Sequence, residues 1–275
     1  MDKLEIKYRL WHKGVPPRQI KLQIPGWSGE QNSHTDGDKP QPWHCPPFVD
    51  GATYGLELYY PFETECHVRL VDGKVVFEGD FDKDQIQCPD VKLPPFMSFA
   101  PGHFGMTSAL DIQVPTGYVL RTEPHPRYYT SECNTVPCCI PGHIQTEWWP
   151  KFFFVVFKNP LPGQTIIFRQ GEPYGQILII SKKISYDIKE MTLGESLERA
   201  DCDNKINKYC KRFVKNDWHD HLGHNFDDKY KVLSSICSKH GADSVKDFIK
   251  SVAKKIEEKK KIPFKFFKKG KNEKL

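Results

Sequence analysis

Three groups of residues in this 275-residue sequence have side chains of the types that ligate metal ions. His34-Thr35-Asp36 is a His-x-Asp pair, the kind that supplies two of the three facial ligands of a non-haem iron oxygenase, although such a pair is common by chance. His219-Asp220-His221-Leu222-Gly223-His224 places three imidazoles close together with Asp217, Asp227 and Asp228 nearby, a zinc or iron donor set by chemistry. His219 and His221 would fall on different faces of a helix and Gly223 signals a turn, so the spacing favours a solvated polar loop. Cys133, Cys138, Cys139 and His143 form a third group, which His44-Cys45 and Cys66-His67 could extend. It lacks a paired Cys-x2-Cys spacing, and the expectation is buried neutral thiols. The sequence thus predicts no bound cofactor. Zinc or iron stays open as an alternative, with His34, Asp36, His219, His221 and His224 as the ligand positions. Covalent catalysis has no visible machinery either: there is no Gly-x-Ser-x-Gly elbow, no Cys–His signature and no Gly-x4-Gly-Lys-Ser/Thr phosphate loop.

The elements that must position any such chemistry change character along the chain. Up to about residue 185 it is rich in Pro, Gly and β-branched or aromatic runs, which predicts strands near 4–10, 18–24, 55–60, 66–71, 74–78, 108–114, 118–122, 151–157, 164–169 and 176–181. Asp72-Gly73 is a hairpin turn, since both residue types tolerate positive φ. Residues 25–47 are poor in apolar side chains apart from Trp27 and Trp43 and read as a long loop. Beyond residue 188 prolines vanish until Pro263, and Val245, Phe248, Ile249, Val252 and Ile256 lie on one helical stripe. A second helix around Leu233, Ile236 and Cys237 should end at His240-Gly241, with N-cap candidates for the next helix in Ala242-Asp243-Ser244. The expected organisation is a mainly β domain over 1–187, a helical extension over 188–262 and a basic tail over 263–275.

Composition bounds the class. Hydrophobic residues are 38%, charged ones 27% and aromatics 13%, with a mean hydropathy of -0.58, which excludes wholesale disorder. The net charge of +5 is local: residues 246–275 hold 12 Lys and 4 acidic residues, a surplus of +8 that leaves −3 on the other 245. The tail, in which Phe264, Phe266 and Phe267 interrupt the lysines, is expected to dock on its own domain or contact an anionic partner. No apolar run approaches the ~20 residues of a membrane span. The charged start Met1-Asp2-Lys3-Leu4-Glu5 is unlike a secretory signal and the cysteine count of nine is odd. The expectation is a cytoplasmic chain with reduced thiols, in a host cell or a virion if the source is viral.

Residues 108 to 181 carry an ordered set of features. Val114-Pro115-Thr116-Gly117 turns into the strand Tyr118-Val119-Leu120-Arg121-Thr122, and Gly142-His143-Ile144-Gln145-Thr146-Glu147-Trp148 follows. An apolar strand then ends near Asn159, and Gly171-Glu172-Pro173-Tyr174-Gly175-Gln176-Ile177-Leu178-Ile179 closes the set. This order resembles the β-clip fold of the dUTPase and dCTP-deaminase family, with the core at about 95–181. The resemblance implies a nucleotide pocket involving Arg121, Gln145, Glu147, Trp148 and Gln176, and homo-oligomerisation as a trimer. A wider likeness runs through Cys45-Pro46-Pro47, Ala52, Gly55, Arg121-Thr122, Gln145-Thr146-Glu147-Trp148 and Gly171-Glu172-Pro173. It is to a family of bacterial and viral proteins without an assigned activity, so a phage or viral origin is plausible.

Departures from the β-clip pattern point away from hydrolysis. Gln145 stands where dUTP hydrolases of that family place the aspartate that activates water, and a carboxamide takes no proton at neutral pH. The phosphate-binding Arg-Ser element has no clean counterpart, with Arg121-Thr122 and Arg127 as substitutes, and the glycine-rich terminal motif is missing. The resulting expectation is a non-catalytic or altered dUTPase-like binding or assembly module. Three alternatives remain open: a metal-dependent oxygenase or hydrolase, a nucleotide pyrophosphohydrolase with a displaced base, and a virion structural component.

Overall fold

Alternation of apolar and polar side chains decides most of the first 186 residues. Strands such as Leu110–Gln113 and Thr165–Phe168 bury every second residue, the period a half-buried sheet requires. The computed structural model describes residues 3–11, 13–21, 46–87, 92–130, 136–209, 213, 217–219, 222–223 and 225–260. The expected pair His34 and Asp36, most of the loop at 25–47 and the tail at 263–275 lie outside the described residues.

The chain divides into two compact units between Tyr186 and Asp187. The first is built from β1 (Lys7–Leu10), β2 (Arg18–Gln19), α1 (Pro46–Ala52), β3 (Leu56–Tyr59), β4 (Cys66–Val71), β5 (Lys74–Glu78), β6 (Ile86–Gln87) and β7 (Lys92–Leu93). It continues through β8 (Phe96–Ala100), β9 (His103–Thr107), β10 (Leu110–Gln113), β11 (Tyr118–Pro124), β12 (Cys139–Ile140), β13 (His143–Ile144), β14 (Phe154–Lys158), β15 (Thr165–Phe168) and β16 (Pro173–Ser181). All of their pairings are antiparallel. A five-stranded sheet runs β13-β11-β16-β3-β2, a four-stranded one β12-β14-β9-β8 and a three-stranded one β15-β4-β5. Residues 72 and 73 form the two-residue turn between β4 and β5 with φ of 48° and 73°, as a hairpin of right-handed twist requires.

The sheets close on an aromatic core. Phe168 lies at its centre, with ring centroids 5.5 Å from Phe96 and from Phe157 and 6.0 Å from Tyr60. Leu58, Leu120 and Ile177 line the core from three adjacent strands of the five-stranded sheet. The residues flanking them in sequence therefore face the other side.

One helix and one hairpin of this unit depart from expectation for identifiable reasons. Residues 46 and 47, read as the end of a loop, begin α1; proline at a first helical turn loses no intrahelical hydrogen bond and its fixed φ suits the helix. The hairpin β8–β9 escapes a period-two reading because Phe99 is exposed and Gly105 lies under its ring, where a Cβ would come within 2.4 Å of it.

The second unit contains α2 (Leu193–Tyr209), β17 (Asp217–His219), β18 (Asn225–Asp227), α3 (Lys229–His240) and α4 (Ala242–Lys260). Of the expected stripe on α4, Ile249, Val252 and Ile256 are buried and Val245 and Phe248 partly so; Val252, Ile256 and the adjoining Ala253 pack with Tyr209 of α2. The Tyr209 hydroxyl donates to Glu257 at 2.8 Å. Gly241 caps α3 at φ 86°, its N–H donating to the Cys237 carbonyl. The stretch expected as a polar loop around Gly223 includes the paired strands β17 and β18, with Gly223 at φ 85°. Among the described residues no helix is long and apolar enough to cross a membrane.

Candidate functional site

Register places a polar row across the outer face of the five-stranded sheet. Glu123 of β11 lies opposite Gln176 of β16, Gln176 opposite Glu57 of β3, and Glu57 opposite Arg18 of β2. Directly opposed residues share a face, so these four side chains stand side by side. Along the neighbouring row Arg121 faces Leu178 on one side and His143 on the other.

Two groups of this face are sealed. Glu57 is 5% exposed and His125, just beyond β11, is 3% exposed. The Tyr59 hydroxyl donates to one carboxylate oxygen of Glu57, and His125 Nε2 lies 3.4 Å from the other. His125 Nδ1 accepts the Arg127 N–H at 3.1 Å, so the ring proton belongs on Nε2, towards Glu57. Burial pushes His125 below its ordinary value of 6.5, against the pull of the Glu57 bond and charge. Burial and the Glu57 bond together raise Tyr59 to about 12. Arg18 stacks 4.6 Å over the Tyr59 ring. Glu57, Tyr59 and His125 had no signature in the sequence beyond a charge at an alternate position of an apolar strand and a histidine between two prolines.

Beside the sealed groups the face opens into a cleft of about 420 Å³ under α1. Phe48, Asp50 and Tyr54 line it from α1 and its exit, and Glu123, Gln176 and Leu178 from the sheet. Gln176, 4% exposed, directs its amide nitrogen to the backbone carbonyls of Gly51, at 3.4 Å, and Tyr54. Those bonds pin the end of α1 to β16 across more than 120 residues of sequence. The Gly55 that follows has φ 91° and sits where a Cβ would be 2.2 Å from the Ile177 carbonyl, so glycine is required for this approach.

The residues expected to form a pocket are divided along β11. Gln176 lines the cleft, and Arg121 donates through Nε to the cleft carboxylate Glu123. At the other end, Glu147 accepts the Gly117 N–H at 2.9 Å and pairs with Lys182 at 2.8 Å. The Lys182 bond and then the Gly117 N–H hold its carboxyl below the usual range. Gln145 accepts the Trp148 indole N–H at 3.1 Å, and Trp148 is 64% exposed, edge-on to Trp149. Gly117 and Glu123 are separated by six strand residues, about 20 Å.

Among the described residues no group of three His, Cys, Asp or Glu side chains could hold a metal ion. Cys66 and Cys139 are buried and Cys138 is exposed; burial raises the Cys139 thiol to about 12 and keeps it protonated. Cys133, His221 and His224 lie outside the described residues, and of His219 only the backbone in β17 is described.

No family model and no curated protein matches the chain. Among solved structures it is similar to the dUTPase of Staphylococcus bacteriophage 80alpha, with a TM-score of 0.36 and 8% identity over 68% of this chain and 96% of that one. It is also similar to a mutant dUTPase from phage phi11 of S. aureus, with a TM-score of 0.36 and 9% identity over 70% and 99%. Scores of this size carry no information on ligand or reaction.

Proposed function

We propose that the β-rich unit is a binding module of altered dUTPase-like, β-clip type, holding a nucleoside-sized ligand in the cleft under α1 without hydrolysing it. The cleft carries the reading: its volume lies in the range of small-molecule sites, about 300–1,000 Å³, and it joins aromatic walls, Phe48 and Tyr54, to a few fixed polar groups. The non-hydrolytic part rests on the β-clip resemblance, in which Gln145, unable to take a proton, stands in the place of the catalytic base; Gln145 and Glu147 lie at the other end of β11 and do not line the cleft. A homotrimer is the assembly this reading expects.

The test is a thermal-shift and calorimetric screen of the full chain against nucleosides and nucleotides, with pyrophosphate release from dUTP and dCTP, metal content and light scattering followed on the same preparation. Saturable stabilisation by a nucleoside without pyrophosphate release is the expected result. Silence across the whole screen would remove the binding reading, and pyrophosphate release would replace it with the hydrolase.

A further inference from the structure

The chemistry of the cleft wall narrows the ligand class, on the premise that the cleft is the binding site. A carboxamide can show either its oxygen or its NH2 to a ligand, and here the choice is made by the backbone. Rotating the Gln176 amide would set its oxygen against the Gly51 and Tyr54 carbonyls, so the NH2 must remain there. The oxygen has no donor among the described residues and is not among the fully buried unpartnered atoms, so it keeps a small accessible surface on a residue that lines the cleft. A nearly buried side chain is thus fixed as an acceptor.

Its neighbours have the same polarity. Asp50 lines the cleft with a carboxylate that has no partner among the described residues, and Glu123 adds a second that has one bond from Arg121 and further lone pairs open. None of the described lining residues is a cation. Phe48 and Tyr54, both more than half exposed, offer ring faces to the same space. Acceptors beside aromatic faces suit a flat group with an N–H edge, and aromatic faces also attract a delocalised cation.

We infer that the cleft reads a donor edge: it takes a planar ligand carrying amino, amidine or guanidine N–H groups and discriminates against the isostere that presents a carbonyl there. A carbonyl in that position would face the Gln176 oxygen and two carboxylates, setting acceptor against acceptor with no donor between them.

Benzamidine and benzamide share a shape and differ in this edge, so they are the probes. Titrated into the full chain by ligand-observed NMR, benzamidine should bind at least tenfold tighter than benzamide, and should compete with whichever nucleoside stabilises the protein. Asp50→Asn and Glu123→Gln, both outside the aromatic core, should each cut that ratio at least threefold. Equal or tighter binding of benzamide would overturn the inference while the nucleoside reading stands. So would a ratio that neither variant changes, or a nucleoside that binds while neither probe does. If neither nucleosides nor probes bind, the binding reading itself fails.

Discussion

Two buried side chains make opposite demands on their surroundings. The Tyr174 hydroxyl is buried in the aromatic core with no hydrogen-bond partner among the described residues. An unsatisfied buried hydroxyl destabilises, so Tyr174→Phe should leave stability unchanged or raise it by about 1 kcal/mol, measured by urea denaturation. His125 is buried against Glu57 and is held below its ordinary 6.5 by burial. The folded chain then binds this proton less readily than the unfolded chain. Its contribution is complete above about pH 6.5 and is lost as pH falls from there towards the folded value. The melting temperature should drop between pH 7 and pH 5.5, and His125→Gln should flatten that part of the profile. An unchanged slope in the variant would assign the dependence to other groups.

At the level of elements, the entry to β3 is the sensitive point. Gly55→Ala combines a positive φ with a backbone collision at Ile177, and should cost about 2–4 kcal/mol. Chemical denaturation measures it. Because the same turn carries the Tyr54 carbonyl that holds Gln176, nucleoside stabilisation should weaken in this variant as well. Strands were legible in the sequence where every second residue is buried, as in β10 and β15. The β8–β9 hairpin was not, since its pattern depends on a ring lying over a glycine. Thr192 and Glu195 show the reverse case: each caps the other's backbone N–H at the start of α2, a Thr-x-x-Glu box that is plain in the sequence once the helix is known.

Across the whole molecule, each core draws on one unit. Among the described residues the aromatic core contains none beyond Ile179, and the helical cluster begins at Tyr209. A fragment of residues 1–186 should therefore unfold cooperatively, with a melting temperature within about 5 °C of the same transition in the full chain. Loss of a cooperative transition in that fragment would mean that the helices complete the β core. The change from strand to helix character near residue 188 was visible as the loss of prolines and the arrival of a helical apolar stripe. The candidate site was visible only in part. Gln176 was singled out by a motif, but its partners Gly51 and Tyr54 lie more than 120 positions away. Glu57 and His125, 68 positions apart, are joined only by the sheet register.

The clamp between Gln176 and the end of α1 also makes the two sides of one amide communicate. When a donor approaches the oxygen, it draws electron density through the carboxamide and makes the NH2 hydrogens more acidic, so the bonds to Gly51 and Tyr54 shorten and strengthen. Occupancy of the cleft would then be felt as stiffening of the turn into β3, with no rearrangement of the backbone. Hydrogen–deuterium exchange reads this directly: amides of residues 51–56 should exchange more slowly in the presence of a bound ligand, while those of β4 and β5, on another sheet, keep their rates.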